Sequence, residues 1–119
     1  MPLVRIDLSQ TLYERLHEEI GVAVHQAQID SIRIPVDDKF QVFTPHAESE
    51  LKFDPHYNGV DRQSLVVIQI TLVQLYSVVT KRALYAAIVN ALTPLGIRAE
   101  DILISLVENT YEDWYGGVL

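Results

Sequence analysis

The apolar pattern of this chain changes period twice, each time in the same order. Residues 3–8 alternate polar and apolar side chains, whereas residues 9–28 place apolar side chains three or four apart, which predicts a strand followed by a helix. Residues 65–73 form a nearly continuous β-branched run, typical of a strand covered on both faces. The apolar stripe over residues 77–95 predicts a second helix with Gly96 as its stop signal. A strand-and-helix unit therefore occurs twice.

Each unit is expected to close with a further strand. Residues 39–44 resume alternation after the turn signals around Pro35, and residues 101–107 form another buried run. Residues 45–63 are predicted to be a long surface loop with room for an edge strand at 51–53. The predicted order is β-α-β, a loop, and β-α-β again.

The two halves resemble each other, since the strand at 4–8 matches the strand at 68–72 and a helix follows each. We therefore predict a single α/β domain over residues 1–119, an α+β sandwich with halves at about 1–58 and 59–119. Right-handed crossovers would place both helices on one face of a four-stranded mixed sheet. A short C-terminal hairpin is expected after the last strand. The other sheet face and the slightly positive mean hydropathy favour self-association.

Composition excludes several classes of function. The chain carries 9 Lys and Arg against 16 Asp and Glu, a net charge of −7, so neither nucleic acid nor an anionic membrane is an expected partner. It has no cysteine, and its four histidines lack the spacing of metal ligands, so no metal and no cofactor is expected. No secretory leader or membrane-spanning run is recognisable, and a cytoplasmic location is the expectation.

Pro2 is the first candidate for chemistry. If Met1 is removed, Pro2 becomes the amino terminus and its ring nitrogen becomes a free secondary amine. A model α-amino group titrates at roughly 7.7–8.0, and apolar surroundings or a nearby cation lower that value, which would suit proton transfer. The alternative is that Pro2 only sets the backbone φ angle ahead of the first strand.

Together these segments resemble the tautomerase superfamily, and within it the malonate semialdehyde decarboxylase-like members. The resemblance implies a β-α-β repeat protein that assembles as a homotrimer and uses an amino-terminal proline as its catalytic group. It covers nearly the whole chain and is carried by Met1-Pro2-Leu3, Pro35-x-Asp37-Asp38-Lys39-Phe40-Gln41, His46, the strand at 64–72, Lys81-x-x-Leu84-Tyr85, Asp101-Ile102 and Val107-Glu108-Asn109-x-x-x-Asp113-Trp114.

The resemblance assigns the catalytic amine to Pro2 and the subgroup's catalytic aspartate to Asp38, although Asp38 also suits an ordinary turn. The subgroup grips a substrate carboxylate with two arginines after the central strand, and this chain has Gln74 and Tyr76 there. Both can still donate single, uncharged hydrogen bonds, whereas arginine offers bidentate, charge-assisted ones. The alternative for this pair is a strand-end amide and a packing aromatic ring.

Two further groups complete the predicted site. Arg62 or Lys39 could replace the missing positive charge, and the alternative for each is a solvated surface cation. Trp114 and Tyr115 could close over a pocket or pack in a subunit interface.

Three functions remain open at this point. The first is a cofactor-free tautomerase in which Pro2 moves a proton between the enol and keto forms of a small 2-oxo acid. The second is a decarboxylase or hydratase of the malonate semialdehyde decarboxylase type, in which Pro2 and Asp38 act together. The third is a non-catalytic trimeric scaffold or ligand-sensing module.

Overall fold

The computed structural model describes residues 2–119, so the predicted removal of Met1 lies outside the described residues. Short 3₁₀ turns occupy several connections, and none of the helices in residues 2–119 is long and apolar enough to cross a membrane. The helices and strands, in chain order, are β1 (Leu3–Ser9), α1 (Gln10–Ile32), β2 (Gln41–His46), β3 (Val66–Val73), α2 (Val78–Leu92) and β4 (Ile102–Asn109).

The four strands form one mixed sheet in the order β2-β1-β3-β4. β1 pairs in parallel with β2, β3 pairs in parallel with β4, and the two central strands β1 and β3 pair antiparallel. The predicted four-stranded mixed sheet built of two β-α-β units is confirmed.

Two smaller predictions are wrong. The loop segment at 51–53 forms no strand, and residues 110–119, all of which the structure describes, contain a 3₁₀ turn instead of a hairpin. In both places an acidic side chain closes a local turn, because Glu50 accepts a hydrogen bond from the Ala47 amide and Asp113 accepts one from the Thr110 amide. These local bonds compete with an extended, paired backbone.

A pseudo-twofold axis at the centre of the sheet exchanges β1 with β3, which pair antiparallel. Arg5 and Gln69 pair with each other and are the one exposed residue of each strand. Side-chain burial therefore agrees with the predicted match of residues 4–8 with residues 68–72.

The core lies between the helices and one face of the sheet. Alternate residues of β1 and β3 point into it, and α1 and α2 cover them, which confirms that both helices lie on one face. The fully buried members are Val4, Ile6, Leu8, Ile20, Val24, Val66, Ile68, Ile70, Leu84, Ile88 and Leu92.

Within residues 2–119, no helix lies over the opposite face of the sheet. Val42 on β2 and Leu103 and Val107 on β4 are exposed there. An apolar sheet face of this kind is usually covered by another layer or another subunit.

We expect Ile68→Ala to lower the free energy of unfolding by about 2–5 kcal/mol, because the side chain is fully buried at the centre of the core. Urea unfolding at a fixed protein concentration measures the change. Arg82→Ala, an exposed position on α2, is the control and should stay within about 0.5 kcal/mol of the parent. Equal effects of the two substitutions would contradict the central position of Ile68.

Candidate active site

Pro2 lies at the edge of the sheet where β1 begins and β3 ends. It is buried and comes directly before β1. Because Leu3 pairs with Thr71 in antiparallel register, Pro2 lies beside the last residues of β3. The candidate amine therefore lies next to the turn that carries Gln74 and Tyr76.

Asp38 reaches the same edge from the other side. It lies in the loop between α1 and β2, where its amide donates to the Pro35 carbonyl at 3.0 Å and closes a turn. The Val4 amide donates to the Phe40 carbonyl at 3.0 Å, which fixes this segment beside the start of β1. Since β1 and β2 run parallel and Val4 pairs with Gln41, the Asp38 loop enters β2 next to the start of β1.

A buried histidine holds the Asp38 loop in place. His25 Nε2 lies on α1 and donates a hydrogen bond to the Val36 carbonyl at 2.7 Å, two residues before Asp38. Residue spacing does not predict this role, because the contact joins a helix to a loop eleven residues further along the chain. His25 is a positioning residue for Asp38.

Tyr76 is held at this edge by backbone hydrogen bonds and by packing. The Gln74 amide donates to the Asn109 carbonyl at 2.8 Å, which joins the ends of β3 and β4. Tyr76 is half-buried against the core, whereas Gln74 is exposed. Burial raises the pKa of the Tyr76 phenol, and the charges of Tyr111 and Asp38 raise it further. Tyr76 therefore stays a neutral hydrogen-bond donor at neutral pH.

The segment after β4 adds two aromatic residues to this edge. The amide and hydroxyl of Thr110 both donate to Asp113 Oδ2 at 2.9 Å, which lowers the pKa of that carboxyl and closes the turn that contains Tyr111. The indole Nε1 of Trp114 donates to Asn109 Oδ1 at 2.8 Å. Trp114 thus lies at the predicted edge. Tyr111 was not predicted, and nothing in its sequence context separates it from an exposed surface tyrosine.

The structure does not bring Arg62 to this edge. Arg62 comes before β3, at the opposite end of the sheet, where its Nη1 donates to the carbonyls of Asp54 and Tyr57 at 3.3 and 3.4 Å. It is buried, so the expectation of a solvated surface cation is also wrong. The prediction that Arg62 replaces the missing positive charge beside Pro2 is also wrong, because its guanidinium holds the long loop in place.

Lysine supplies the positive charge near the candidate site. Lys39 follows Asp38 directly and is exposed. Lys81, on the first turns of α2, forms an ion pair of 2.6 Å with Glu108 at the end of β4. The charge of Lys81 is therefore balanced by Glu108, and Lys39 is the cation beside Asp38.

The sequence and the fold of this chain are matched among known proteins. A family model described as "Tautomerase enzyme" matches residues 38–115. The probable tautomerase YusQ of Bacillus subtilis (strain 168) is 38% identical over 119 residues, covering 98% of this chain and 94% of that protein. The chain belongs to the tautomerase family.

Solved structures give the same result. The FG41 malonate semialdehyde decarboxylase, inhibited by 3-bromopropiolate, is 33% identical with a TM-score of 0.91, over 97% of this chain and 88% of its own. A second malonate semialdehyde decarboxylase, solved in wild-type, mutant and inactivated forms, is 26% identical with a TM-score of 0.87, over 97% and 90% of the two chains. A fused 4-OT protein solved as a symmetric trimer is 18% identical with a TM-score of 0.80, over 97% and 91%, and shows the shared fold.

The electrostatic interaction between Asp38 and Tyr76 can be tested by titration of the Tyr76 phenol. The phenolate absorbance of the parent minus that of Tyr76→Phe reports the ionisation of Tyr76 alone. We expect a pKa above the ordinary tyrosine value of about 10, and Asp38→Asn should lower it because one of the neighbouring negative charges is lost.

Asp37→Asn is the matched control, because it removes an adjacent, exposed carboxyl. It should leave the Tyr76 pKa close to that of the parent. An Asp38→Asn titration that superimposes on the parent would contradict the proximity of the two groups.

Proposed function

We propose that the protein is a cofactor-free tautomerase that uses the Pro2 amine, freed by removal of Met1, to transfer a proton between the enol and keto forms of a small 2-oxo acid. The convergence of Pro2, Asp38 and Tyr76 at one edge of the sheet carries this proposal. Family membership supports the class of reaction.

Pro2 is proposed to carry the proton. In ketonisation, the neutral amine accepts the proton of the enol hydroxyl, and the oxygen electron pair forms the carbonyl. The carbon next to the new carbonyl then takes the proton back from the Pro2 ammonium, using the electron pair of the carbon–carbon double bond. Burial of Pro2 favours the neutral amine, the form required for the first transfer.

Tyr76 and Asp38 are proposed to stabilise the charges that develop. A phenol that stays protonated can donate a hydrogen bond to the substrate oxygen as it becomes an enolate. The Asp38 carboxylate, alongside Pro2, stabilises the ammonium that forms on proton transfer. Gln74, exposed next to Tyr76, supplies a second single donor for the oxygen atoms of the substrate.

A second candidate is malonate semialdehyde decarboxylase or hydratase activity that uses the same Pro2 and Asp38. The two decarboxylase structures, at 33% and 26% identity, favour it. The residues at 74 and 76 count against it, because glutamine and tyrosine cannot grip a carboxylate as a guanidinium pair does. A non-catalytic scaffold is the third candidate and predicts no turnover at all.

We expect the natively expressed protein to lack Met1 by intact mass and to ketonise phenylenolpyruvate. Pro2→Ala should lower kcat/KM by about 10²–10⁴-fold, the range attributed to a positioned acid–base group. Asp38→Asn should also lower kcat/KM, whereas Asp37→Asn should leave it near the parent value.

The outcomes separate the three candidates. Retention of Met1, or equal rates for the parent and Pro2→Ala, would contradict the proline mechanism, because an acylated proline nitrogen cannot act as a base. Release of carbon dioxide from malonate semialdehyde, without phenylenolpyruvate turnover, would favour the decarboxylase. Inertness towards both substrates, with Met1 removed, would favour the scaffold.

We also propose that the protein is a homotrimer in which the exposed face of the sheet is buried between subunits. Val42, Leu103 and Val107 are exposed apolar side chains on this face, and none of the helices that the structure describes covers it. The fold neighbour solved as a symmetric trimer is consistent with that assembly.

Analytical ultracentrifugation should give a mass three times the 13.5 kDa of one chain. Val107→Glu should shift the mass towards that of a single chain, because a buried, unpaired carboxylate is costly in an interface. Val79→Glu, at an exposed apolar position on α2, is the matched control and should leave the mass unchanged. A monomeric parent protein would overturn the assembly.

A further inference from the structure

A polar cavity of about 340 Å³ lies at the end of the sheet opposite Pro2. It is bounded by the end of β1, the first turns of α1, and the segments that lead into β3 and β4. Its lining is rich in hydrogen-bond donors, and the polar residues are Ser9, Thr11, Arg15, Glu48, Gln63, Ser64, Arg98 and Asp101.

The pseudo-twofold axis relates this cavity to the candidate active site. Pro2 comes before β1 beside the end of β3, and Ser64 comes before β3 beside the end of β1. The outer strands β2 and β4 correspond as well, so the Asp38 loop corresponds to the segment just before β4.

The helix side of the two sites corresponds as well. The turn of Tyr76 ends at Ser77, whose hydroxyl accepts the Thr80 amide at the start of α2. The equivalent residue is Ser9, whose hydroxyl accepts the Leu12 amide at the start of α1 and lines the cavity. The two edges are thus built from the same parts of the two repeats.

The guanidinium groups of Arg15 and Arg98 line this second cavity. At the candidate active site, Gln74 and Tyr76 occupy the positions where the resemblance predicts arginines. Arg15 projects from α1 and forms no ion pair within residues 2–119. Arg98 reaches Asp101 at 3.4 Å and Glu100 at 3.7 Å, both long for a charged pair, so its donors are only partly used.

Two acids line the same cavity, Asp101 and Glu48. Asp101 is buried, and its Oδ1 accepts the amides of Gln63 at 2.7 Å and Ser64 at 3.1 Å besides Arg98, so its negative charge is engaged within the fold. Glu48 is exposed at the rim, where its charge opposes an anion, so Arg15 and the unused donors of Arg98 are the groups left to attract one. The hydroxyl of Ser9 accepts from Leu12 and keeps its own proton available to a ligand.

The second cavity has no amine at the position equivalent to Pro2. The Ser64 nitrogen is a peptide amide that donates to Asp101, so it cannot act as a base. We propose that this cavity is a second, non-catalytic binding site for a small carboxylate anion, held by the guanidinium groups of Arg15 and Arg98 and by the hydroxyl of Ser9.

The test is an amide NMR titration of the full-length protein with sodium pyruvate at constant ionic strength. We expect saturable shifts of the Gln63 and Ser64 amides. Arg15→Gln should weaken the affinity read at these amides about tenfold, the loss typical of one charge-assisted hydrogen bond. Arg82→Gln, which removes an exposed arginine on α2 that does not line the cavity, should leave that affinity unchanged.

Pro2→Ala separates this site from the proposed catalysis. It should lower kcat/KM for phenylenolpyruvate by about 10²–10⁴-fold and leave the shifts at Ser64 intact, so either proposal can fail alone. The second site is overturned if the Ser64 shifts are absent or do not saturate, as when a neighbouring subunit fills the cavity. It is also overturned if Arg15→Gln and Arg82→Gln weaken binding equally, since that result indicates general attraction to positive charge.

Discussion

The antiparallel pairing of β1 with β3 determines where every other part of this protein lies. It joins two β-α-β units through the Ile6–Ile68 pair and places both helices over one continuous core. Because the pairing is antiparallel, the start of each central strand meets the end of the other. Pro2 therefore lies beside the end of β3, and Ser64 lies beside the end of β1. Two equivalent edges result from one pairing.

The two edges have diverged in complementary ways. The first has a proline that can become a free amine, a carboxylate and a protonated phenol, and its lysine on α2 is balanced by Glu108. The second has two arginines and an amide nitrogen without basicity. We therefore propose proton transfer at the first edge and anion binding at the second. On this proposal the two edges share their backbone geometry and differ in a few side chains.

The hydrophobic periods of the sequence were sufficient to predict the sheet, the helices and their order. They overestimated extended structure after β4, where Asp113 closes a local turn, and at 51–53, directly after the turn that Glu50 closes. Side-chain hydrogen bonds to the nearby backbone leave no trace in a pattern of polar and apolar residues.

The candidate site was predicted in part, for a physical reason. Pro2, Asp38 and Tyr76 meet because each lies next to the end of a strand, which the strand order makes predictable. His25 and Tyr111 act across space, from a helix to a loop and from one turn to another, so no spacing identifies them. Arg62 was misplaced because its buried hydrogen bonds to loop carbonyls cannot be inferred from its position before β3.

Covalent labelling of the native protein tests the central claim most directly, namely that Pro2 is a free and reactive amine. The protein would be incubated with 3-bromopropiolate, the inhibitor of the FG41 decarboxylase, and then examined by intact mass and peptide mapping. The account predicts one adduct per chain on a peptide that begins at Pro2, with Met1 absent. An adduct on another residue, or an unlabelled peptide that still begins with Met1, would contradict it.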